Sequence, residues 1–260
     1  MSSPVGWTDA VVVADTRGIA VTPLDASRSG RAVELPGSAP RTPALRGDAI
    51  FTTRAETGGE PVVVRLDSSG TEEWQRTLPG AEITAPVVAD GRLFLGTDER
   101  HVALDAETGK RVWAVGDGLS TRDWDQQLTE NLAPAVAADT VVFPTGDGVL
   151  AVDTSSGSIA WRLNGDQVRS APVVRDGRVY VPDFGFGIRV LDLHTGDAVW
   201  QFPADGTWAT PVVTDSRVYA GTTRGVVALR RGSIDTDSAE PVEQTADTAA
   251  PVEQTADTAA

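Results

Sequence analysis

The stretch Ala103-Leu-Asp-Ala-Glu-Thr-Gly-Lys-Arg-Val-Trp113 decides the fold of this chain, because its pattern recurs along the sequence. An aspartate, a threonine–glycine pair and a tryptophan follow one another at fixed spacing, and close variants occupy Ala151–Trp161 and Leu191–Trp200. Aspartate, threonine and glycine form turns, and the residues around them are largely apolar. The stretch therefore predicts a strand, a tight turn and a second strand that carries the tryptophan.

A longer unit surrounds each copy of this stretch. It opens with alanine, threonine or, in the first copy, serine, then a proline, which two valines follow in three of the six copies. The prolines of successive units lie 39, 43, 48, 38 and 39 residues apart. A period of about 40 residues is typical of four-stranded propeller blades. The sequence predicts repeats at about 3–34, 42–74, 83–115, 132–163, 169–202 and 208–230.

Turn residues place four strands within one repeat. In the third repeat we predict strands A to D at about 83–89, 92–97, 101–105 and 110–115, with Asp90-Gly91 as a type I′ hairpin turn between the first two. No segment has the 3.6-residue period of a helix. The predicted fold is an all-β propeller over residues 1–232, built from about six blades of four antiparallel strands with an incomplete last blade.

The two ends of the chain raise the question of closure. The sixth repeat lacks a convincing strand D, and the N-terminus has no spare strand to supply one. The chain is either an imperfect six-blade ring or the C-terminal part of an eight-blade parent whose N-terminal blades are missing. We favour the second alternative, because an open ring leaves sheet edges unpaired.

The last residues differ in kind from the repeats. The sequence Pro241–Ala250 recurs without change as Pro251–Ala260, within an acidic, low-complexity segment that spans 233–260. Such a composition cannot bury enough apolar surface to fold, so we predict a disordered tail. It would serve as a linker or a solubilising tail, or alternatively as a peptide for a partner's basic groove.

The repeat resembles the PQQ-like, quinoprotein-type propeller repeat, whose tryptophan-docking motif Ala103–Trp113 matches at every defined position. This resemblance covers residues 3 to about 230 and extends to quinone-dependent alcohol dehydrogenases and to BamB-like propellers. It implies that each tryptophan packs on a turn of a neighbouring blade, where glycine allows close approach and aspartate and threonine bind the turn amides. The structural docking residues implied are Trp74, Trp113, Trp161, Trp200, Asp105, Thr108 and Gly109.

The resemblance also implies what a quinone enzyme would need. Dehydrogenases of this kind stack their cofactor near a pair of adjacent cysteines and a calcium ion, but this chain has no cysteine and no acidic cluster with calcium spacing. His101 and His194 belong to different blades, where we expect solvent exposure. We therefore predict no cofactor, no metal, no catalytic residue and no enzymatic activity, with a degenerate quinoprotein dehydrogenase as the alternative.

Departures from the repeat are concentrated in the loops of one rim, where strand D leads to the next strand A and strand B leads to strand C. The candidate partner-binding residues there are Arg122, Trp124, Phe184 and Phe186. Aromatic side chains in loops on a rigid scaffold mark contact sites. The predicted function is a scaffold or binding module for a protein or a cell-envelope component; a sensor or carbohydrate-binding propeller is a further alternative.

The composition limits the kinds of partner that the chain can bind. The formal charge of −15 makes nucleic acid an unlikely ligand. The single lysine, Lys110, among many acids is typical of a salt-adapted protein, or alternatively of codon bias in a GC-rich genome. The sequence as written has no signal peptide and no apolar run long enough to span a membrane. Compartment is not indicated, although the resemblance implies an exported or membrane-anchored protein.

Overall fold

A computed structural model of the chain describes residues 4–231, except 16, 26, 28, 36–40, 55–58, 117–131, 146–147, 165–167, 169, 184, 186, 205 and 208. The predicted tail therefore lies outside the described residues. Every regular element longer than one turn in these residues is a β-strand. The described residues contain no helix long and apolar enough to cross a membrane.

The strands follow one another in six groups. The first three blades are β1 (Val5–Trp7), β2 (Ala10–Asp15), β3 (Gly18–Pro23) and β4 (Arg31–Glu34); β5 (Ala44–Arg46), β6 (Ala49–Arg54), β7 (Val62–Leu66) and β8 (Glu72–Thr77); and β9 (Val87–Ala89), β10 (Arg92–Gly96), β11 (His101–Asp105) and β12 (Arg111–Val115). The last three are β13 (Ala135–Ala137), β14 (Thr140–Thr145), β15 (Gly148–Asp153) and β16 (Ile159–Asn164); β17 (Val173–Arg175), β18 (Arg178–Asp183), β19 (Gly187–Asp192) and β20 (Ala198–Phe202); and β21 (Val212–Val213), β22 (Arg217–Thr222) and β23 (Gly225–Arg230).

Each group forms one antiparallel sheet in which consecutive strands are neighbours. The described residues form five sheets of four strands and a sixth sheet of three. The first strands of successive sheets lie against one another in the order β1, β5, β9, β13, β17 and β21, as the innermost strands of a propeller do. The predicted fold class, an all-β propeller, is confirmed, and within the described residues its last blade has three strands.

The hairpins between strands A and B show why the turn residues recur. Asp90 and Gly91 both have positive φ values, 46° and 76°, as a type I′ turn requires. Strand A itself is shorter than predicted, because β9 begins only at Val87, after Pro86. Proline has no amide hydrogen to donate to the ladder, so upstream of it only an isolated bridge from Ile83 to Thr97 remains.

The core lies between the blades. Five apolar clusters each join two consecutive blades, from the first and second to the fifth and sixth. Adjacent residues of one strand serve different clusters: Ile50 packs toward blade 1 and Phe51 toward blade 3, and both are fully buried. Burial of each such side chain contributes about 1.5–3 kcal/mol to the free energy of folding. A blade therefore needs a neighbour on each side to bury its two faces.

Candidate functional site: the blade junctions and the loop rim

Three tryptophans of the outer strands lie directly on glycines of the next blade. The ring of Trp74 contacts Gly109, that of Trp113 contacts Gly157 and that of Trp161 contacts Gly196. A Cβ atom added to these three glycines would lie only 2.9, 2.8 and 2.6 Å from the nearest ring atom. Any larger residue at these positions would push the ring away.

The bulged pairing of strands C and D sets the orientation of these rings. In the third blade the register between β11 and β12 shifts after Ala103, which leaves Trp113 opposite Ala103, and blades 2, 4 and 5 carry the same shift. Trp113 thereby shares a cluster with Phe143 of the fourth blade, with ring centroids 6.2 Å apart in an edge-on arrangement. Such aromatic pairs add to the energy of simple burial.

The turn that receives each tryptophan is held by its aspartate. Asp105 Oδ1 accepts hydrogen bonds from the Thr108 hydroxyl and the Thr108 amide, both at 2.7 Å, and the Gly109 amide donates to the Asp105 carbonyl at 2.8 Å. The two bonds from Thr108, the hydroxyl's first, lower the pKa of the Asp105 carboxyl below its usual value. Ser155 and Ser156 bind Asp153 in the same way and lower its pKa to about 2.

Two of the three tryptophans that lie on a glycine also donate an indole hydrogen bond to the next blade, and the third does not. Trp113 Nε1 donates to the Thr154 carbonyl at 2.9 Å and Trp161 Nε1 donates to the Leu193 carbonyl at 2.8 Å. The buried Trp74 Nε1 has no acceptor. The carbonyl at the corresponding position, that of Ala106, receives a hydrogen bond from Arg65 instead, at 3.4 Å.

The first blade replaces the tryptophan with two residues. Counted along the first repeat, Glu34 falls in the place of the tryptophan. Strand register shows that this prediction is wrong, because Arg31 stands opposite Val21 as Trp74 stands opposite Arg65. Arg31 Nη2 donates to the Ser68 carbonyl, the counterpart of the bond from Trp113 to Thr154. Val33, two residues further along, packs where the ring would meet the receiving glycine, Gly70.

Trp200 differs from the other three tryptophans. It is only partly buried, in the cluster between the fifth and sixth blades, and its ring stacks on Phe202 with centroids 6.0 Å apart. In the sixth blade Arg230 occupies the position that Asp192 holds in the fifth, by the register of the B and C strands. The aspartate that organises the receiving turn elsewhere is therefore missing here.

All four candidate partner-binding residues, Arg122, Trp124, Phe184 and Phe186, lie outside the described residues. The structure does describe the base of the loop that carries the last two. Asp183 is 2% exposed and pairs with Arg189 at 2.8 Å. The buried Thr207 hydroxyl contacts the carbonyl oxygens of Asp183 and Gly187, at 2.9 and 3.0 Å. These contacts fix both ends of the loop between strands B and C of blade 5.

The prediction that His101 is exposed to solvent is wrong, because its side chain is fully buried. Its ring stacks on Phe143 of the fourth blade with centroids 4.5 Å apart, and neither ring nitrogen has a hydrogen-bond partner. Desolvation and the charge of Arg162 lower its pKa to about 4, so the ring is neutral at pH 7. His194 is exposed, in line with its position in a turn.

One junction residue carried no sequence signal. Trp7, at the end of β1, donates its indole N–H to the Gly47 carbonyl in the turn between β5 and β6, at 2.8 Å. No other repeat has a tryptophan at this point, so the period could not indicate the contact. In the fifth blade Arg175 makes a comparable contact, because it donates a hydrogen bond to the Val213 carbonyl of the sixth blade at 3.0 Å.

The donors present do not fit the quinone and calcium site that the resemblance implies for dehydrogenases. The sequence offers no thiol, and among the described residues no three histidine, aspartate or glutamate side chains form a group that could hold a metal ion. The aspartates of the turns instead accept hydrogen bonds from their own turns, as Asp105 and Asp153 do.

Comparison with known proteins identifies the family of the chain. A family model described as outer membrane protein assembly factor BamB matches residues 5–164 and 103–260. Among solved structures, BamB from Moraxella catarrhalis is similar with a TM-score of 0.73 and 16% identity, over 88% of this chain and 72% of that one. At this identity the structural likeness supports the fold.

Two curated proteins match about half of the chain. The serine/threonine-protein kinase AfsK of Streptomyces griseus is 31% identical over 153 residues, which cover 54% of this chain and 18% of the kinase. The polyvinylalcohol dehydrogenase of Sphingopyxis sp. (strain 113P3) is 27% identical over 154 residues, which cover 50% of this chain and 23% of the dehydrogenase. The chain thus spans less than a quarter of the length of either relative.

Proposed function

The chain belongs to the family of the outer membrane protein assembly factor BamB, and from that membership we propose that it is a non-enzymatic propeller that binds a protein or cell-envelope partner through its loop rim. An assembly factor acts by contact with other proteins, and a rigid scaffold with long loops suits that task. Membership alone does not carry over outer-membrane assembly itself, because the same repeat occurs in relatives with other names.

The observation that carries the proposal is the fixed base of the loop between Asp183 and Gly187. The buried ion pair of Asp183 with Arg189 and the two contacts of Thr207 hold the ends of this loop. A loop held at its base presents its tip with little loss of conformational entropy on binding. Phe184 and Phe186, predicted from the sequence as contact residues, belong to this loop.

Cross-linking at single positions tests the proposal. We expect a photoreactive benzoylphenylalanine in place of Trp124 or Phe186 to cross-link the same protein in extracts of the cells of origin. The control is the same amino acid at Ile159, which is 50% exposed on the outer strand of blade 4. Equal yields from all three positions would contradict a binding rim.

A second candidate function is a sensor, and the match to a kinase over 54% of the chain favours it. In that case the repeat would serve as a ligand-binding domain and the rim would bind a small molecule. The cross-linking experiment separates the two functions. A sensor of small molecules would give no cross-linked protein at position 124 or 186.

The dehydrogenase alternative makes a different prediction, which the relatives named for alcohol oxidation make worth testing. We expect titration with pyrroloquinoline quinone and Ca²⁺ to leave the cofactor's absorbance spectrum unchanged, because the chain supplies neither thiols nor a described group of metal ligands. Saturable binding at one quinone per chain, or dye-linked oxidation of an alcohol, would overturn the non-enzymatic assignment.

A further inference from the structure

The second blade buries a positive charge that no carboxylate of the described residues balances. Arg54, the last residue of β6, is 7% exposed. Its Nη2 donates to Gln75 Oε1 at 3.4 Å, whereas its buried Nε and Nη1 have no acceptor. The two other acidic or basic side chains buried in the described part of the chain are accounted for, because Asp183 pairs with Arg189 and His101 is neutral at pH 7.

The repeat gives a different task to the residue at this position. In four other blades the residue that ends strand B, or directly follows it, accepts a hydrogen bond from the backbone amide two residues later. These capping residues are Asp15, Thr97, Asp183 and Thr222. An arginine side chain has donors only and cannot cap a turn in this way. The burial of Arg54 therefore has a reason other than the turn that follows it.

The charge of Arg54 cannot be removed by loss of a proton, because a guanidinium stays protonated in proteins. A buried ion without a counter-ion lowers the stability of the folded chain. Residues that lower stability in this way are typical of binding sites, where the ligand supplies the missing interaction. The ligand expected for Arg54 is an anion.

Strand register shows where an anion would reach the guanidinium. Arg54 stands opposite Val62, Gln75 stands opposite Val64, and both valines pack in the cluster shared with blade 1. Because directly opposite residues share a sheet face, Arg54 and Gln75 both lie on the face of blade 2 that is turned toward blade 1. Gln75 is exposed on the outer strand β8, so the approach to Arg54 is from the side of Gln75.

Arg54 also lies on the loop rim. The strand that it ends, β6, is followed by β7 only at Val62, which makes this the longest of the six connections between strands B and C. The same rim carries the predicted partner-binding residues of the other loops. An anion bound at Arg54 would therefore lie on the surface that we propose for the partner.

The single charge of Arg54 selects the class of anion. A carboxylate carries one negative charge and matches the planar guanidinium with two parallel hydrogen bonds. Inorganic phosphate carries between one and two negative charges at pH 7, which would leave part of its charge unbalanced beside the neutral Gln75. The bond to Gln75, at 3.4 Å, is long for a hydrogen bond and is easily exchanged for a charged acceptor.

We propose that Arg54 binds a carboxylate group at the loop rim. The carboxylate displaces the Gln75 oxygen and accepts hydrogen bonds from Nη1 and Nη2 of Arg54, and the side-chain amide nitrogen of Gln75 donates to the same group. The carboxylate belongs either to an acidic side chain of the partner, a source that rests on the proposed function, or to a free small carboxylic acid.

Urea unfolding in two salts tests the site, with acetate as the probe. In sodium chloride we expect Arg54→Met to unfold at a higher urea concentration than the unmodified chain, because methionine removes the unbalanced charge and fills similar space. In sodium acetate at equal ionic strength and pH, the unmodified chain should gain stability. Its folding equilibrium constant should rise about 11-fold when acetate reaches ten times its dissociation constant, and that of Arg54→Met should not.

The matched control is Arg111→Met, which changes the net charge equally at an exposed residue of β12. We expect it to respond to acetate as the unmodified chain does. An equal response in Arg54→Met would overturn the proposal. A lower stability of Arg54→Met in chloride would also overturn it, because the folded chain would then already balance the charge. An equal, Arg54-dependent gain in inorganic phosphate would exclude a site selective for carboxylates.

Cross-linking separates the two sources of the carboxylate. If a side chain of the partner supplies it, Arg54→Met should lower the yield of cross-linked protein from benzoylphenylalanine at position 186, and Arg111→Met should not. An unchanged yield beside an Arg54-dependent response to acetate would identify a free carboxylic acid as the ligand. If the unmodified chain cross-links no protein at all, the proposed function fails, and the acetate titration, which needs no partner, still decides whether Arg54 binds a carboxylate.

Discussion

At the scale of single residues, the junctions between blades depend on glycines as much as on tryptophans. Gly196 and Gly177 have similar positive φ values, 76° and 70°, but only Gly196 lies against a ring, that of Trp161. Backbone strain is therefore common to both positions, whereas the close contact belongs to one. This pair allows the cost of the contact to be separated from the cost of the turn.

We expect Gly177→Ala to lower the free energy of unfolding by about 1–2 kcal/mol, which is the cost of a left-handed alanine. Gly196→Ala should cost at least about 2 kcal/mol more, because the added Cβ would displace the buried Trp161 ring. Denaturant midpoints of the two variants measure the difference. Equal losses would mean that the ring can move aside freely.

The buried His101 makes a second residue-scale prediction, on pH. Its pKa in the folded chain is about 4 against 6.5 for an ordinary histidine, so between these values the unfolded chain binds the proton and the folded chain does not. Stability is therefore lost as the pH falls from about 6.5 to about 4. The expected loss from this residue is about 2 kcal/mol at pH 5 relative to pH 7.

Chemical denaturation of His101→Leu at both pH values checks this prediction. The variant should lose most of the pH dependence in that window, whereas His194→Gln, at the exposed and only other histidine, should keep it. The turn aspartates act at lower pH, because their pKa values lie below the usual 3.8. An unchanged pH dependence in His101→Leu would show that protonation of His101 does not limit stability.

At the scale of strands and blades, position in the series determines how well an element is protected. Each of blades 2 to 5 contributes to two apolar clusters, whereas blades 1 and 6 contribute to one each. End units of a repeat array lack one stacking neighbour and open more readily.

We therefore expect amide hydrogen exchange to be fastest in 3–34 and 208–230 and slowest in the central repeats. Mass spectrometry of peptides after timed exchange measures this directly. An even profile around all six repeats would instead indicate a ring that closes through contacts between its first and sixth blades.

The elements were predictable from the sequence because turn chemistry and alternation act locally. Asp90-Gly91 marks its hairpin without help from the rest of the chain. The burial of His101 was not predicted, although one signal was available. The strand that carries it, β11, lies between two other strands of its sheet and has both faces covered, so a polar residue there is buried whichever way it points. The substitution of Arg31 for a tryptophan was hidden because the first blade lacks the bulge that shifts the register elsewhere.

At the scale of the whole molecule, the period of the sequence predicted the architecture but not the candidate site. Blade junctions repeat, and repetition is visible in one sequence. Arg122, Trp124, Phe184 and Phe186 belong to loops that break the period, so their role as binding residues stays a prediction. The contacts of Thr207 with the loop base join residues 20 and more positions apart, which no local pattern reveals.

The serial order of the apolar clusters has a mechanical consequence. Because each cluster joins only two consecutive blades, a force that pulls the two ends of the chain apart passes through the sheets one after another. The molecule would then lengthen in steps, each releasing one repeat of about 40 residues and roughly 13 nm of chain. The blade with three strands, held by a single cluster, would be the first to yield.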